Sequence, residues 1–460
     1  MMTAVALRSV FAVGDTVYRH ALPIFERIDP LVAAASLRGD DRIMMTYERR
    51  RPDSPIVFAF GDLAVCSRAL SGQRDDGADL LTTAVDFLAA LNFGVAASPD
   101  ERCWFGFIGY DAVRDFERLS SRADGSLPVY QIFLPEVLIR IGTVSTIVVG
   151  RGVTPTAAQQ AASRARKALL RKSGTTFRPT RTGTGRFSPE FADYVAAVRK
   201  AKEYIANGDI FQVVLSISCT ASATADGLAL YAKLAALNPS PFQFWYRGPE
   251  FEAVGASPEP CVVLKNGHVL IRPLAGTRPR GADREVDRVA ELDLQSSDKE
   301  LAEHRMLVDL ARNDVGRVCQ PGSVHVPRLM VVEYYSHVIH LASDVIGRLR
   351  PDYRADNVIR ATFPAGTMTG APKVRAMEII DELEPTGRGL YAGAVGTFGV
   401  DRVNLYLTIR SIILYQGQVR MQAGGGIVYD SDPVAEYKEC IAKLQAAARV
   451  IGIDMERVAP

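Results

Sequence analysis

Along the first 150 residues the apolar positions fall in short runs broken by turn residues: SPIVFAFGD at 54–62, RCWFGFIGYD at 102–111 and VYQIFLPEVLIRIGTVSTIVVG at 129–150. Runs of this length, rich in β-branched and aromatic side chains and bounded by Gly, Pro and Asp, predict strands. TAAQQAASRARKALLRK (156–172) predicts a helix. The Thr-, Gly- and Arg-rich stretch SGTTFRPTRTGTGRFSP (173–189) has no apolar period and predicts an exposed connection. Beyond it the period becomes helical: Phe191, Tyr194, Val195, Val198, Tyr204 and Ile205 share one face of a helix that starts at Ser188-Pro189-Glu190 and ends at Asn207-Gly208. IFQVVLSISC (210–219) predicts a strand, and FEAVGASPEPCVVLKNGHVLIRPLAG (251–276) predicts two strands with a turn at Asn266-Gly267. DKELAEHRMLVDLARND (298–314) predicts a charged amphipathic helix.

Strands and helices thus mix without a repeating βαβ cycle, which gives an α+β class with antiparallel sheets as the expectation. The organisation read from this pattern is a β-rich region over 1–150, a helix and basic connection over 151–187, and a second region over 188–452.

At 460 residues and 48% hydrophobic, the chain is long enough to bury a large core. Its 54 basic and 52 acidic residues nearly cancel, so no global field is available to hold nucleic acid or a membrane surface. Any anion must be caught by a local site. Six cysteines (Cys66, Cys103, Cys219, Cys261, Cys319, Cys440) lie singly, with no metal-binding or disulfide spacing, which fits a reducing, cytoplasmic setting. The mildly apolar start MMTAVALRSVFAVGD lacks a cleavage site and reads as ordinary fold, and no run of about eighteen apolar residues occurs to span a bilayer.

Two acidic pairs carry candidate chemistry. Glu300 and Glu303 in SDKELAEH, and Glu436 and Glu439 in DPVAEYKEC, are each spaced three apart, on one face of a helix. Brought together, two such faces would offer carboxylate oxygens to Mg²⁺. Spacing alone favours the plainer reading, solvated faces beside Lys299, His304, Lys438 or Lys443. Glycines in FPAGTMTGAPK (363–373) and MQAGGGIVYD (421–430) mark sharp turns or amides open to an anion, and neither segment is a nucleotide-binding loop. Arg278, Arg280, Tyr391, Arg410 and Lys443 are available to grip an acidic substrate, and spacing does not choose among them.

In order along the chain, GDIFQVVLS, GASPEP, RPLAGTRPRG, SDKELAEHRMLVDLARNDVGRV, HVIHLASDV, FPAGTMTGAPKVRAMEIIDELEPTGRGLYAGAVG, LTIRS and GGGIVYDSDPVAEYKECIAKL resemble the chorismate-binding region of the anthranilate, aminodeoxychorismate, isochorismate and salicylate synthases. The resemblance covers residues 188–450, and residues 1–150 match only loosely. It implies large antiparallel sheets packed as a sandwich with helices outside. It implies Glu303 and Glu439 as Mg²⁺ ligands, with Glu300 and Glu436 helping to hold the ion's waters. Glu259 resembles the general acid for the departing C4 hydroxyl, a role that needs a raised pKa. Tyr391, Arg410 and Lys443, with amides around Gly424, Gly425 and Gly426, resemble the cradle for two substrate carboxylates, and His340 and Thr367 resemble the residues beside the ring and its enolpyruvyl side chain.

Within that family, Gln212 stands where water-using members carry a lysine base, and glutamine cannot accept that proton. Ala275, beside Gly276 and Thr277, stands where aminodeoxychorismate synthases carry a lysine nucleophile. The resemblance therefore implies direct attack by ammonia at C2 of chorismate and loss of pyruvate, the work of an anthranilate synthase large subunit. The alternatives are a 2-amino-2-deoxyisochorismate synthase that stops before pyruvate loss, an aminodeoxychorismate synthase component, and an inert binding subunit. No cysteine lies in a GxCxG turn, so ammonia is expected from a separate glutamine amidotransferase subunit, in an assembly built on a homodimer or heterotetramer. Tryptophan-sensitive members carry Leu-Glu-Ser and NPSPYMF; this chain has NPSPFQFW (238–245) and no clear Leu-Glu-Ser, so weak or absent tryptophan inhibition is expected.

Overall fold

Two long strands, Ile56–Ala69 and Pro128–Ile141, pair along most of their lengths and give rise to two antiparallel arms. The computed structural model describes residues 6–37, 42–49, 54–69, 79–119, 127–171, 177, 180–335 and 338–455. From Ile56–Ala69 one arm runs through Ile43–Glu48, Phe242–Arg247, Phe251–Ser257, Ser411–Tyr415 and Gln418–Ile427 to Gln212–Thr224. From Pro128–Ile141 the other runs through Trp104–Ile108, Ala394–Phe398, Val403–Leu407, Pro260–Lys265 and His268–Ile271 to Val338–Arg348. Residues from both ends of the chain build each arm.

The arms face each other across an aromatic layer. Phe107 of the second arm meets Phe244, Tyr246 and Phe251 of the first edge-on, with ring centroids 5.7, 5.2 and 5.7 Å apart. Phe242 stacks on Tyr406 at 4.1 Å. Edge-to-face pairs add to the burial of the rings themselves, and a fully buried Phe contributes about 3 kcal/mol. Helices Phe191–Ala206, Gly227–Leu237 and Pro433–Ile451 cover the outer face of the first arm, and Pro155–Leu170 packs on Tyr18–Ile24 and Thr146–Gly152, strands that extend the sheet from Pro128–Ile141. Leu80–Ala90, Asp298–Gly316 and Ala355–Thr362 cover the second. The result is the α+β sandwich with outer helices. Among the described residues no helix is long and apolar enough to cross a membrane.

Three local expectations need correction. FEAVGASPEPCVVLKNGHVLIRPLAG forms four strands, Phe251–Ser257, Pro260–Lys265, His268–Ile271 and Leu274–Pro279, because Pro258 and Pro273 interrupt runs that read as continuous by hydrophobicity. The turn itself is where expected, with Asn266 and Gly267 both at positive φ, as a tight hairpin demands. The basic connection is partly sheet: Arg181–Thr182 and Arg186–Ser188 pair with Gln212–Thr224, and residues 172–176, 178 and 179 lie outside the described residues. Ser188 therefore ends a strand, and the helix begins at Phe191 with Glu190 as its N-cap.

Candidate active site

The two helices bearing the glutamate pairs begin beside the same cavity. Ser297 caps Asp298–Gly316 by accepting from the Glu300 amide, and Asp432 caps Pro433–Ile451 by accepting from the Ala435 amide at 2.8 Å, with Pro433 in the first turn. Such caps are worth about 1 kcal/mol each, and they set the first turns so that Glu300, Glu303, Glu436 and Glu439 all line one cavity of about 240 Å³.

Glu303 Oε1 accepts a hydrogen bond from Gln212 Nε2 at 2.7 Å. Gln212 is 2% exposed, and its own Oε1 has no partner among the described residues. On the strand opposite, a Cβ on Gly426 would sit 2.5 Å from Gln212 Nε2, so a larger residue there would displace the amide from Glu303. Burial, then the neighbouring charge of Glu300 and more weakly that of Glu439, pushes the Glu303 carboxyl up to about 7. Arg278 holds Glu300 at 3.0 Å, Lys443 holds Glu439 at 2.6 Å, and Ser431 donates to Glu436 at 2.7 Å. Burial raises Glu436 as well.

This donor set fits a hard cation. All four candidate ligands are carboxylates, and the negative charge accumulated around Glu303 is what a divalent ion relieves. Among the described residues no three His, Cys, Asp or Glu side chains converge closely enough to enclose an ion. Mg²⁺ does not require that, because it takes one or two carboxylates and fills its octahedron with waters and substrate oxygens.

Across the cavity Glu259 sits between strands Phe251–Ser257 and Pro260–Lys265, 7% exposed, accepting from Thr367 Oγ1 at 2.8 Å. Burial lifts its carboxyl up to about 8, the Thr367 hydroxyl and the Leu274 amide offsetting only part of the effect. A carboxyl so placed is a proton donor near neutral pH.

A cationic wall faces the carboxylates. Lys443 Nζ donates to the Gly424 carbonyl at 2.8 Å, and Arg410 Nη1 donates to the Lys443 carbonyl at 3.0 Å. Arg410 has φ 51°, a left-handed conformation uncommon for a residue with a Cβ, just after strand Val403–Leu407. Tyr391 is buried beside it, with the Arg388 guanidinium 5.7 Å from its ring centroid. Ala275, Gly276 and Thr277 form another edge of the cavity. Gly276 has φ +65°, and its carbonyl lies 2.9 Å from His340 Nδ1. Burial lowers the His340 pKa, so the ring is neutral, and donation from Nδ1 leaves Nε2 as an acceptor.

The structure thus brings Gln212, Glu259, Ala275, Gly276, Thr277, Glu300, Glu303, His340, Thr367, Tyr391, Arg410, Gly424, Gly426, Glu436, Glu439 and Lys443 to one cavity. Gly425 is the exception. The strand alternates, so its Cα faces Glu436 Oε2 and Cys440 beneath the sheet. Arg278 and Arg280 do not line the cavity; they are engaged with Asp293 and Glu300, and with Asp287. Lys299, Leu307, Met368, Ile409 and Gln422 line it as well. Nothing in their residue types singled them out, although each adjoins or lies close to a motif residue.

The family profile of the chorismate binding enzymes matches residues 45–449. The chain belongs to the chorismate-binding enzyme family. Among its relatives in that family, this chorismate-binding enzyme is 41% identical over 370 residues to anthranilate synthase component 1 of Pseudomonas putida, covering 76% of this chain and 74% of that protein. It is 43% identical over 362 residues to the component 1 of Cereibacter sphaeroides, covering 75% and 72%. Anthranilate synthase component I from Streptococcus pneumoniae superposes with a TM-score of 0.77 at 32% identity, over 88% of this chain and 94% of that one. The menaquinone-specific isochorismate synthase from Escherichia coli superposes at 0.76 with 19% identity, over 96% of each, which shows the shared fold.

Proposed function

We propose that this chorismate-binding enzyme is the large subunit of an anthranilate synthase, converting chorismate and ammonia to anthranilate, pyruvate and water with Mg²⁺. The observation that carries this reading is the pairing of Gln212 with Glu303 at the cavity, with Ala275 on another edge: neither position offers a lysine to activate water or to attack the ring. The identity to proteins named anthranilate synthase component 1 supports the same choice.

Arg410, Tyr391 and Lys443 orient the two substrate carboxylates through charge and hydrogen bonds. Glu259 carries the proton that the C4 hydroxyl takes as it leaves as water. Ammonia forms the new bond at C2 as the C4–O bond breaks, and gives up one N–H proton to solvent. Loss of the C2 proton and of the enolpyruvyl group as pyruvate then aromatises the ring. Glu303 and Glu439 are the residues that would hold Mg²⁺, Glu300 and Glu436 its waters, and the bound ion supplies neutralising charge for the ring carboxylate.

A separate glutamine amidotransferase supplies the ammonia, consistent with the relatives' designation as a component 1 and with the absence of a nucleophile turn around any cysteine. A cytoplasmic location suits six cysteines that are all free and buried. The test is incubation of the purified chain with chorismate, Mg²⁺ and ammonium. Fluorescent anthranilate is expected; 2-amino-2-deoxyisochorismate, 4-amino-4-deoxychorismate or salicylate as the end product refutes the assignment.

A further inference from the structure

Adjoining the main cavity, with which it shares Glu259, Leu307 and Thr367, a chamber of about 10 Å³ is also lined by Cys261, Asp314 and Thr362. That is the space of a single water; most of the lining is apolar, with Pro260, Ile271, Leu307 and Leu310 among it, and Glu259, Thr367 and Asp314 supply the few polar partners a buried water requires. Asp314, 3% exposed, holds Lys373 Nζ at 2.6 Å, and the same Nζ donates to the Thr362 carbonyl at 3.1 Å. Glu259, Cys261 and Asp314 line this one chamber, so the acid and the acidic member of the ion pair border the same space. Lys373 is the outer end of this set, with its side chain 11% exposed.

An acid that gives up its proton once per turnover must regain one. Glu259 is almost fully buried, and a substrate bound in the main cavity, which Glu259 lines, would cover what exposure it has. Thr367 Oγ1 already donates to Glu259 Oε1, and Thr367 also lines the chamber.

Building on the general-acid role given to Glu259 above, we infer that the Asp314–Lys373 pair, one chamber water and the Thr367 hydroxyl form the path by which Glu259 is reprotonated. After the C4 hydroxyl leaves, the Thr367 O–H proton passes to the Glu259 carboxylate. Thr367 takes a proton from the water, the water takes one from the Asp314–Lys373 pair, and the pair recovers it from solvent through the lysine. One proton enters by this path per turnover and the one that ammonia gives up on becoming the ring amine leaves through the main cavity, so the overall reaction takes up none; within the path no bond other than O–H and N–H is made or broken.

The test compares single-turnover and steady-state rates with chorismate, Mg²⁺ and ammonium. The enzyme enters its first cycle with Glu259 protonated, so the neutral double variant Asp314→Asn/Lys373→Met keeps its single-turnover rate within about twofold. Its steady-state kcat falls at least about tenfold, the low end of what proton transfer contributes, after a burst of one product per site. Cys261→Met, which fills the chamber and leaves the ion pair in place, gives the same burst and serves if the double variant does not fold. Equal losses in both rates, marking a structural role, or no loss in either, overturn the path. Glu259→Gln separates this from failure of the general-acid assignment itself: if that variant retains single-turnover chemistry, Glu259 is not the acid, whatever the other two variants do.

Discussion

Gln212 donates to Glu303 at 2.7 Å while its carbonyl oxygen, buried at the cavity wall, meets no partner among the described residues. A buried acceptor left unmatched costs free energy, and the bond that the same amide makes to the cavity carboxylate Glu303 offsets part of it. Gln212→Leu removes that acceptor and also strips Glu303 of its donor. It should lower ammonia-dependent kcat/KM by about 10- to 100-fold, the equivalent of one or two hydrogen bonds to a charged group. Initial rates over a range of ammonium concentrations check this, and a change under about twofold contradicts it.

Glu259 sets the pH dependence. Its folded-state pKa of about 8 lies above its ordinary value of 4.5, so the donor form is lost as pH rises through about 8. The rate per free ammonia should fall along that limb. The same shift affects stability: between 4.5 and about 8 the folded state binds the proton more tightly than the unfolded chain, so stability present below 4.5 declines as pH rises through that window. Denaturant unfolding of wild type and Glu259→Gln across that range should show a steeper decline in the first than in the second, where Glu303, raised to about 7, still contributes.

Magnesium binding should depend on Glu303 and Glu439 separately. Glu303→Gln and Glu439→Gln should each weaken Mg²⁺ at least about tenfold by titration calorimetry, since each removes a charged oxygen ligand from an ion that binds few. An unchanged affinity in either variant removes that residue from the ligand set.

Tryptophan should inhibit weakly or not at all. Phe242, within NPSPFQFW, lies flat on Tyr406 at 4.1 Å, and the Tyr406 hydroxyl donates to Glu48 at 2.8 Å, leaving no gap between the two rings. Anthranilate formation should be unaffected at micromolar tryptophan; strong inhibition there contradicts this.

The aromatic layer between the arms should dominate stability. Phe107→Ala empties the point where three rings of the facing arm converge, and should cost about 3–5 kcal/mol in chemical denaturation.

What could be read along the chain followed the range of each interaction. Helices such as Phe191–Ala206 and Asp298–Gly316 were legible because their periodicity is local, and the Asn266-Gly267 turn because its backbone needs those residues. The strands Arg181–Thr182 and Arg186–Ser188 were not, since they owe their form to a partner some 30 to 40 positions away rather than to their own composition. In the site, the i,i+3 spacing placed each glutamate pair on one helix face, and only the family resemblance suggested that the two faces meet. The choice of Arg278 as the partner of Glu300, and the burial of Gly425 toward Cys440, depend on strand alternation and long-range packing that the spacing of motifs does not encode.

The central claim is that free ammonia attacks the ring with no lysine or water in its place. Turnover of chorismate with heavy-nitrogen ammonium in heavy-oxygen water tests it most directly. The predicted result is anthranilate carrying the heavy nitrogen and no heavy oxygen on its ring, with pyruvate released in equal amount. A ring bearing heavy oxygen, or an amine of ordinary nitrogen, would contradict the account.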